Sequence, residues 1–151
     1  MEQKVEKQAS LEPVPVKRLK RELKYQGTIL KMYEDTVEVT GHQAKWDFIH
    51  HDGAAAVLPV TEDGKILMVR QYRNALDRYT LEIPAGKLDS PDEAKIDCAY
   101  RELEEETGYR CDHREYLMSV NTTIAFCDEA LDIFLARDLK KTHQHLDPDE
   151  E

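Results

Sequence analysis

The sequence predicts an α+β protein in which one well-bounded helix lies among several short strands, with a small antiparallel sheet ahead of the main domain. Three observations support this fold class. Helical periodicity is concentrated in residues 91–107, β-prone runs separated by turn signals fill residues 27–50, and a continuous apolar run at 54–60 indicates a buried strand. A chain of 151 residues fits one domain with a substantial core.

The N-terminal part divides into an arm and a small sheet. Residues 1–22 are rich in Lys, Glu and Gln and contain Pro13 and Pro15, so we expect a flexible charged arm. Residues 23–51 are predicted to form an antiparallel sheet whose turns are marked by Glu34-Asp35 and Gly41-His42. Its three strands are expected at 27–33, 36–40 and 44–50. A sheet of this size buries little surface alone, so it should pack against the main domain or another subunit.

The main domain, residues 52–151, is predicted to be built on a central hairpin. A buried strand at 54–60 leads through the turn Glu62-Asp63-Gly64 to a second strand at 65–72. Residues 79–83 are predicted to form a further strand, which runs through Pro84-Ala85 into the loop before the helix. Two more strand candidates follow the helix, at 116–120 and 130–136.

The helix is predicted at residues 91–107, with defined start and stop signals. Ser90-Pro91-Asp92-Glu93 is typical of a capping box with proline at the first helical position, and Gly108 can take the left-handed conformation that ends a helix. The periodicity of 3.6 residues places Ile96, Ala99 and Leu103 on one apolar stripe.

Three carboxylates lie beside that stripe, within roughly a third of the helix circumference: Glu102, Glu105 and Glu106. They repel one another and lie near the negative end of the helix dipole. A hard divalent cation such as Mg²⁺ reverses both effects, because it prefers oxygen ligands. For three glutamates taken alone, a solvated acidic face is the competing explanation.

Charge and cysteine usage exclude some functions. A formal net charge of −10 argues against nucleic acid as the main partner. We find no apolar run long enough to span a bilayer and no signal-peptide pattern, so no membrane partner is expected. Cys98, Cys111 and Cys127 are odd in number and lack C-x-x-C spacing, which favours reduced thiols and a cytoplasmic location. A zinc site at the His50-His51 pair is not favoured, because no third ligand has suitable spacing.

Arg101-Glu102-Leu103-x-Glu105-Glu106-x-Gly108-Tyr109, with Glu93 seven residues before the arginine, resembles the Nudix box G-x5-E-x7-R-E-U-x-E-E-x-G-U. Gly86 departs from the pattern, because six residues instead of five separate it from Glu93. The resemblance implies the Nudix fold, an α/β/α sandwich with a mixed sheet. Such proteins usually continue with another strand and a C-terminal helix, which this chain is expected to lack.

Further segments resemble the ADP-ribose pyrophosphatase branch of the Nudix hydrolases: GAAAV at 53–57, VRQYR at 69–73 and LEIPAGKL at 81–88. The implied reaction is hydrolysis of a nucleoside-diphosphate sugar, foremost ADP-ribose to AMP and ribose 5-phosphate, with Mg²⁺ or alternatively Mn²⁺. Ile124 and Ala125 stand where many relatives have Pro-Gly, ahead of the retained Phe126, which weakens the case for ADP-ribose. Another nucleotide sugar, a nucleoside triphosphate, or nucleotide sensing without catalysis are the alternatives.

The resemblance also implies residue roles. Glu102 and Glu106 match the principal metal-binding glutamates, with the Ala85 carbonyl as a further ligand and Glu105 as a ligand or proton acceptor. Arg101 is expected to orient these carboxylates. Glu82 matches a loop glutamate near the metals. Arg73 matches an arginine that contacts the diphosphate, and Arg70 of the same VRQYR segment is a further substrate-binding candidate. For the late catalytic glutamate, Glu151 is preferred over Asp149 and Glu150.

The resemblance implies that Trp46 contacts the nucleoside base. Phe126 and Glu129, in the loop after the box, are expected to contribute to substrate binding. Some relatives stack adenine on a residue from the N-terminal sheet of the opposite subunit. Trp46 therefore has two interpretations, a stacking residue that implies a homodimer with shared sites, or a packing residue between sheet and domain.

Overall fold

The computed structural model describes residues 14–90 and 92–146, so the predicted arm up to Pro13 lies outside the described chain, as do Pro91 and the acidic end at 147–151. The N-terminal strands are β1 (Val16–Gln26), β2 (Leu30–Val39) and β3 (His42–His51). The helix is α1 (Lys95–Thr107). The remaining strands are β4 (Ala54–Pro59), β5 (Val69–Arg73), β6 (Arg78–Glu82), β7 (Ala85–Lys87), β8 (Tyr109–Arg110), β9 (His113–Asn121), β10 (Ala130–Arg137) and β11 (Lys140–Lys141).

The N-terminal strands form the predicted antiparallel sheet, in the order β1-β2-β3, but with different boundaries. Strand β1 begins at Val16, inside the segment predicted as a flexible arm. Strand β2 runs through Glu34-Asp35, so the turn predicted there is wrong and the runs 27–33 and 36–40 fall largely in one strand. Two register shifts in β1 interrupt its alternation of side chains, which is why its sequence does not look like a strand.

A partly buried ion pair explains why Asp35 lies within a strand. Arg21 lies opposite it on β1 and donates to its carboxylate from Nε at 2.7 Å and Nη2 at 2.6 Å. The guanidinium also lies 3.9 Å from the centroid of the Phe48 ring. This bidentate pair, stacked on an aromatic ring, adds to the packing of the small sheet, in which Val37 is buried while Leu23 and Tyr25 stay exposed.

The main sheet is mixed, as the family resemblance implies, with strand order β7-β4-β10-β9. Strands β4 and β10 are parallel, whereas β4 with β7 and β10 with β9 are antiparallel. The predicted central hairpin forms only around its turn, where Val60 bridges Ile66 in antiparallel fashion and the Leu67 N–H donates to the Pro59 carbonyl at 3.0 Å. Beyond the turn the predicted pairing is wrong, since β5 pairs with β6 and not with β4. Strand β4 is almost wholly buried, and such a strand takes its partners from distant parts of the chain.

Helix α1 packs on β4, β7 and β10 and forms one helical layer of the predicted sandwich; the described residues hold no second α-helix. Ala99 and Leu103 are fully buried and Ile96 packs at the edge of the core, as the stripe predicts. The helix ends at Gly108, whose φ of 69° is the expected left-handed conformation. Within the described ranges no helix is long and apolar enough to cross a membrane.

The start of the helix differs from the prediction. It begins at Lys95 rather than at residue 91, and its N-cap, Ala94, provides no side-chain hydrogen bond. The Glu93 carboxylate accepts instead from the backbone N–H of Asp89 at 2.7 Å and from Arg101 Nε at 3.1 Å. The capping box therefore does not form at the helix start, because the guanidinium competes successfully for its glutamate.

Candidate active site

Two of the predicted glutamates are buried side by side against strand β7. Glu102 and Glu106 are only 8% and 6% exposed, and their spacing of four residues puts both on the helix face toward that strand. Glu106 Oε2 accepts from the Ala85 N–H at 3.1 Å. Glu102 lies over Gly86, where an added Cβ would be 2.0 Å from Oε1. Gly86 therefore leaves the space that the Glu102 carboxylate occupies, which explains the glycine despite its irregular spacing.

Arg101 links the acidic residues of the helix. Its Nη1 donates to Glu102 Oε1 and to Glu105 Oε2, each at 2.8 Å, while Nε donates to Glu93. Burial opposes the charged form, yet the hydrogen bonds to Glu93 and Glu105 and the charge of Glu102 raise the pKa of Arg101 above its ordinary value. The hydrogen bond from Arg101 lowers the pKa of Glu93. Arg101 is thus a permanent cation that holds three carboxylates in place.

Arg73 and Glu82 pair across the β5–β6 hairpin. Arg73 donates from Nε to Glu82 Oε1 at 2.8 Å and from Nη2 to Oε2 at 2.5 Å. The hydrogen bonds to Glu82 raise the pKa of Arg73, and the negative charge of Glu106 raises it further. The hairpin therefore lies within electrostatic reach of the helix glutamate Glu106. Thr80 donates to Glu82 Oε1 at 2.5 Å. Sequence reasoning missed Thr80, although its place two residues before Glu82 puts both on one strand face.

Arg70 and Glu129 have other partners in the structure. The Arg70 guanidinium lies 4.2 Å from the centroid of the Tyr79 ring, and both Arg70 and Glu106 line a cavity of about 330 Å³. Glu129 accepts from the Thr122 hydroxyl at 2.5 Å, a contact that lies within the loop after the box. These positions support a loop-holding role for Glu129 more directly than a substrate contact.

Trp46 and Phe126 are brought together in one open groove, which Met32 and Ile49 also line. Both aromatic rings remain about half exposed, at 48% and 47%. The groove forms because β3 bonds to the loop: Ile49 N–H donates to the Phe126 carbonyl at 2.7 Å. Two residues predicted to bind the substrate, 80 positions apart in sequence, therefore line one groove within a single chain.

Hydrogen bonds to Asp128 fix the same junction between sheet and domain. His50 Nδ1 lies 2.8 Å from Asp128 Oδ2, and the His51 backbone N–H donates to Asp128 Oδ1 at 3.0 Å. His50 Nε2 also lies 3.2 Å from Asp52 Oδ1. Through these hydrogen bonds, His50 and His51 connect the N-terminal sheet to the loop that carries Phe126.

The donor set at β7 fits a hard divalent cation. The carboxylates of Glu102 and Glu106 are oxygen donors beside the backbone of Ala85, and Mg²⁺ commonly takes only one or two carboxylates and retains water. Because residue 86 is a glycine, the Glu102 carboxylate can lie directly against the backbone of β7. In the described residues no three His, Cys, Asp or Glu side chains form a ready metal cluster, and Glu105 is turned toward Arg101. The late glutamate candidates, Glu151 included, lie outside the described residues.

Comparisons with known proteins agree with this geometry. A family model for the NUDIX domain matches residues 49–151. The chain is 40% identical over 136 residues to a methanol dehydrogenase activator of Bacillus methanolicus and 39% identical over 136 residues to an ADP-ribose pyrophosphatase of Bacillus subtilis. Each alignment covers 89% of this chain and 73% of the relative.

The fold is shared with a solved structure, that of an ADP compounds hydrolase. The two superpose with a TM-score of 0.76 at 21% identity, over 95% of this chain and 76% of the other. This likeness extends the agreement to the arrangement of the mixed sheet and its helix. On the family match, the sequence relatives and the fold, the chain belongs to the Nudix hydrolase family.

Proposed function

We propose that this chain hydrolyses the diphosphate bond of a nucleoside-diphosphate sugar, with ADP-ribose as the foremost substrate and AMP and ribose 5-phosphate as products. The observation that supports this best is the pair of buried glutamates, Glu102 and Glu106, held against β7 within electrostatic reach of Arg73. The Bacillus subtilis relative named ADP-ribose pyrophosphatase supports the choice of substrate.

Each residue has a separate task in this proposal. Glu102, Glu106 and the Ala85 carbonyl hold Mg²⁺, with Mn²⁺ as a substitute, while Glu105 is a further ligand or proton acceptor. A bound divalent cation supplies neutralisation of the diphosphate charge and activation of the attacking water. Arg101 keeps the carboxylates in place through its hydrogen bonds to Glu102 and Glu105.

Two residues of the hairpin act on the diphosphate side. Arg73 presents a planar donor to the diphosphate, a geometry that suits its bidentate character. Glu82 fixes the plane of that guanidinium with two hydrogen bonds and is itself held by Thr80. Glu151 remains the preferred candidate for the late catalytic glutamate.

The groove between Trp46 and Phe126 is proposed to bind the nucleoside base. Aromatic rings that are half exposed and face one open groove are suited to stack on a purine. We further propose a cytoplasmic homodimer in which this groove, with its Trp46, serves the site of the partner. Mixing a Trp46→Ala variant with a Glu106→Gln variant tests this, because shared sites restore activity in heterodimers. Activity no higher than the sum of the two variants would show that each chain uses its own tryptophan.

The central experiment measures AMP release from ADP-ribose with Mg²⁺. Glu106→Gln is expected to lower kcat/KM by more than about 100-fold, since changing even outer partners of a metal commonly costs 10–100-fold. Glu104→Gln is the matched control, because it makes the same change on α1 at a half-buried position outside the proposed site. Equal activity of the wild type and Glu106→Gln would remove Glu106 from the mechanism.

A substrate panel separates the alternatives within the family. Release of orthophosphate or pyrophosphate from nucleoside triphosphates would identify a triphosphatase, and faster turnover of another nucleotide sugar would change the substrate assignment. Tight nucleotide binding without turnover would indicate a sensing module instead.

A second candidate function comes from the Bacillus methanolicus relative, which is named as an activator of methanol dehydrogenase and is as similar as the pyrophosphatase. On this reading the chain acts on a dehydrogenase system. Adding the protein to a methanol dehydrogenase assay, with Glu106→Gln beside it, distinguishes the two. Stimulation that is lost in the variant would tie activation to the same hydrolytic site.

A further inference from the structure

The C-terminal end of helix α1 is closed by the segment that follows strand β11. The last carbonyls of a helix have no partner within it and must find donors elsewhere. The Glu104 carbonyl accepts from the Gly108 N–H at 2.8 Å, which is a local bond. The carbonyls of Glu105 and Glu106 accept from the distant segment at 142–146.

Two different donors serve those two carbonyls. The His145 backbone N–H donates to the Glu105 carbonyl at 2.9 Å, and the Gln144 side chain donates from Nε2 to the Glu106 carbonyl at 2.7 Å. Thr142 N–H adds a bond of 2.7 Å to the Gly108 carbonyl, which continues the pairing of β11 with β8. Three hydrogen bonds therefore hold the segment against the helix end, at the carbonyls of Glu105, Glu106 and Gly108.

The fit of the segment against the helix end is close. An added Cβ at Gly108 would lie 3.0 Å from the Gln144 backbone nitrogen, so this glycine serves both the left-handed turn and the approach of the segment. Among the three donors, only that of Gln144 belongs to a side chain. It is the one contact that a substitution removes while leaving the backbone bonds in place.

We infer that Gln144 is a positioning residue, whose amide holds the Glu106 carbonyl and so fixes the helix turn from which the Glu106 carboxylate reaches the metal site beside Glu102. This inference rests on the proposed function. The amide donor also offsets the negative end of the helix dipole, where carboxylates are otherwise disfavoured. Loss of the bond lets the last turn fray, and the two carboxylates then no longer share one geometry.

The test compares Mn²⁺ binding, followed by the electron paramagnetic resonance signal of free Mn²⁺, in the wild type, Gln144→Met and His145→Ala. Methionine keeps the length of glutamine but has no donor, whereas alanine at 145 keeps the backbone N–H that serves Glu105. We expect about tenfold weaker binding in Gln144→Met, within the range for outer partners of a metal, and unchanged binding in His145→Ala.

Turnover supplies an independent readout. The Mg²⁺ concentration for half-maximal activity rises in Gln144→Met, the KM for ADP-ribose stays constant, and kcat recovers at saturating Mg²⁺. A general loss of stability would not produce that split. Wild-type Mn²⁺ affinity in Gln144→Met overturns this inference alone, whereas the absence of Mn²⁺ binding in the wild type overturns the proposed function and this inference with it.

Discussion

Replacing Gly86 by alanine should move the Glu102 carboxylate without harming the fold. Gly86 lies in β7 opposite Ala55, and its conformation is not the left-handed one that favours glycine. An alanine there is therefore tolerated by the backbone and even removes the flexibility cost of glycine in a strand, about 0.5–1 kcal/mol. The effect of the substitution lies in the space that the new methyl group occupies.

The size of the displacement follows from the contacts. The added Cβ would lie 2.0 Å from Glu102 Oε1 and 2.2 Å from its Cδ, where real contacts essentially never fall under 3.0 Å. The carboxylate must therefore retreat by at least about 1 Å, and its 2.8 Å bond with Arg101 breaks or re-forms elsewhere. A misplacement of about 1 Å in a catalytic group can cost about 100-fold in rate.

We therefore expect Gly86→Ala to lower kcat/KM for ADP-ribose hydrolysis by about 100-fold and to leave the melting temperature unchanged or slightly raised. Gly27→Ala is the matched control, since its new Cβ meets the Tyr25 side chain at 3.0 Å and the Leu30 carbonyl at 3.4 Å, both in the N-terminal part of the chain and not in the helix. Combining Gly86→Ala with Glu102→Asp, whose carboxylate is one methylene shorter, should recover part of the loss. Wild-type kcat/KM in Gly86→Ala would refute the reasoning.

Three further predictions concern single side chains. Thr80→Val removes the hydroxyl that donates to Glu82 and should lower kcat/KM about tenfold, with Thr80→Ser close to wild type; steady-state kinetics of both variants checks this. Arg21→Met removes the hydrogen bonds that hold the pKa of Asp35 below 3.8. The resulting loss of stability should be full above about pH 4 and should shrink as the pH falls through the lowered pKa of Asp35. Thermal unfolding at pH 7 and pH 3 checks this dependence. Burial raises the pKa of Cys98 to about 12, so at pH 8 iodoacetamide should alkylate this thiol only after unfolding in urea, which peptide mass spectrometry can follow.

Features set by neighbouring residues could be predicted from the sequence. The apolar stripe of α1 and its end at Gly108 follow from helical periodicity and from glycine's access to the left-handed region, and the structure shows both. The strand at 130–136 likewise appears as most of β10. These elements depend on chemistry within a few positions, which a single sequence displays directly.

Features set by distant residues could not be predicted. The apolar run at 54–60 marks a buried strand, but it says nothing about β10, some 75 positions later, as the parallel neighbour. The predicted capping box is wrong because of a residue outside the box: Arg101, eight positions later, donates to the Glu93 carboxylate that the box would have used at the helix start. Gln144, which holds the Glu106 carbonyl from 38 positions away, carries no local signal at all.

The pairing of charges at the site also explains how an acidic chain would accept an anionic substrate. Arg101 is held by three glutamates and Arg73 by Glu82, so each of these two cations already faces carboxylate charge. With a net charge of −10, the protein alone would repel a diphosphate. A divalent cation at Glu102 and Glu106 changes the sign of the local field, and the field of Arg73 then adds to it. Metal binding should therefore precede substrate binding, and ADP-ribose affinity measured by calorimetry should fall sharply when Mg²⁺ is removed; equal affinity with and without Mg²⁺ would contradict this order.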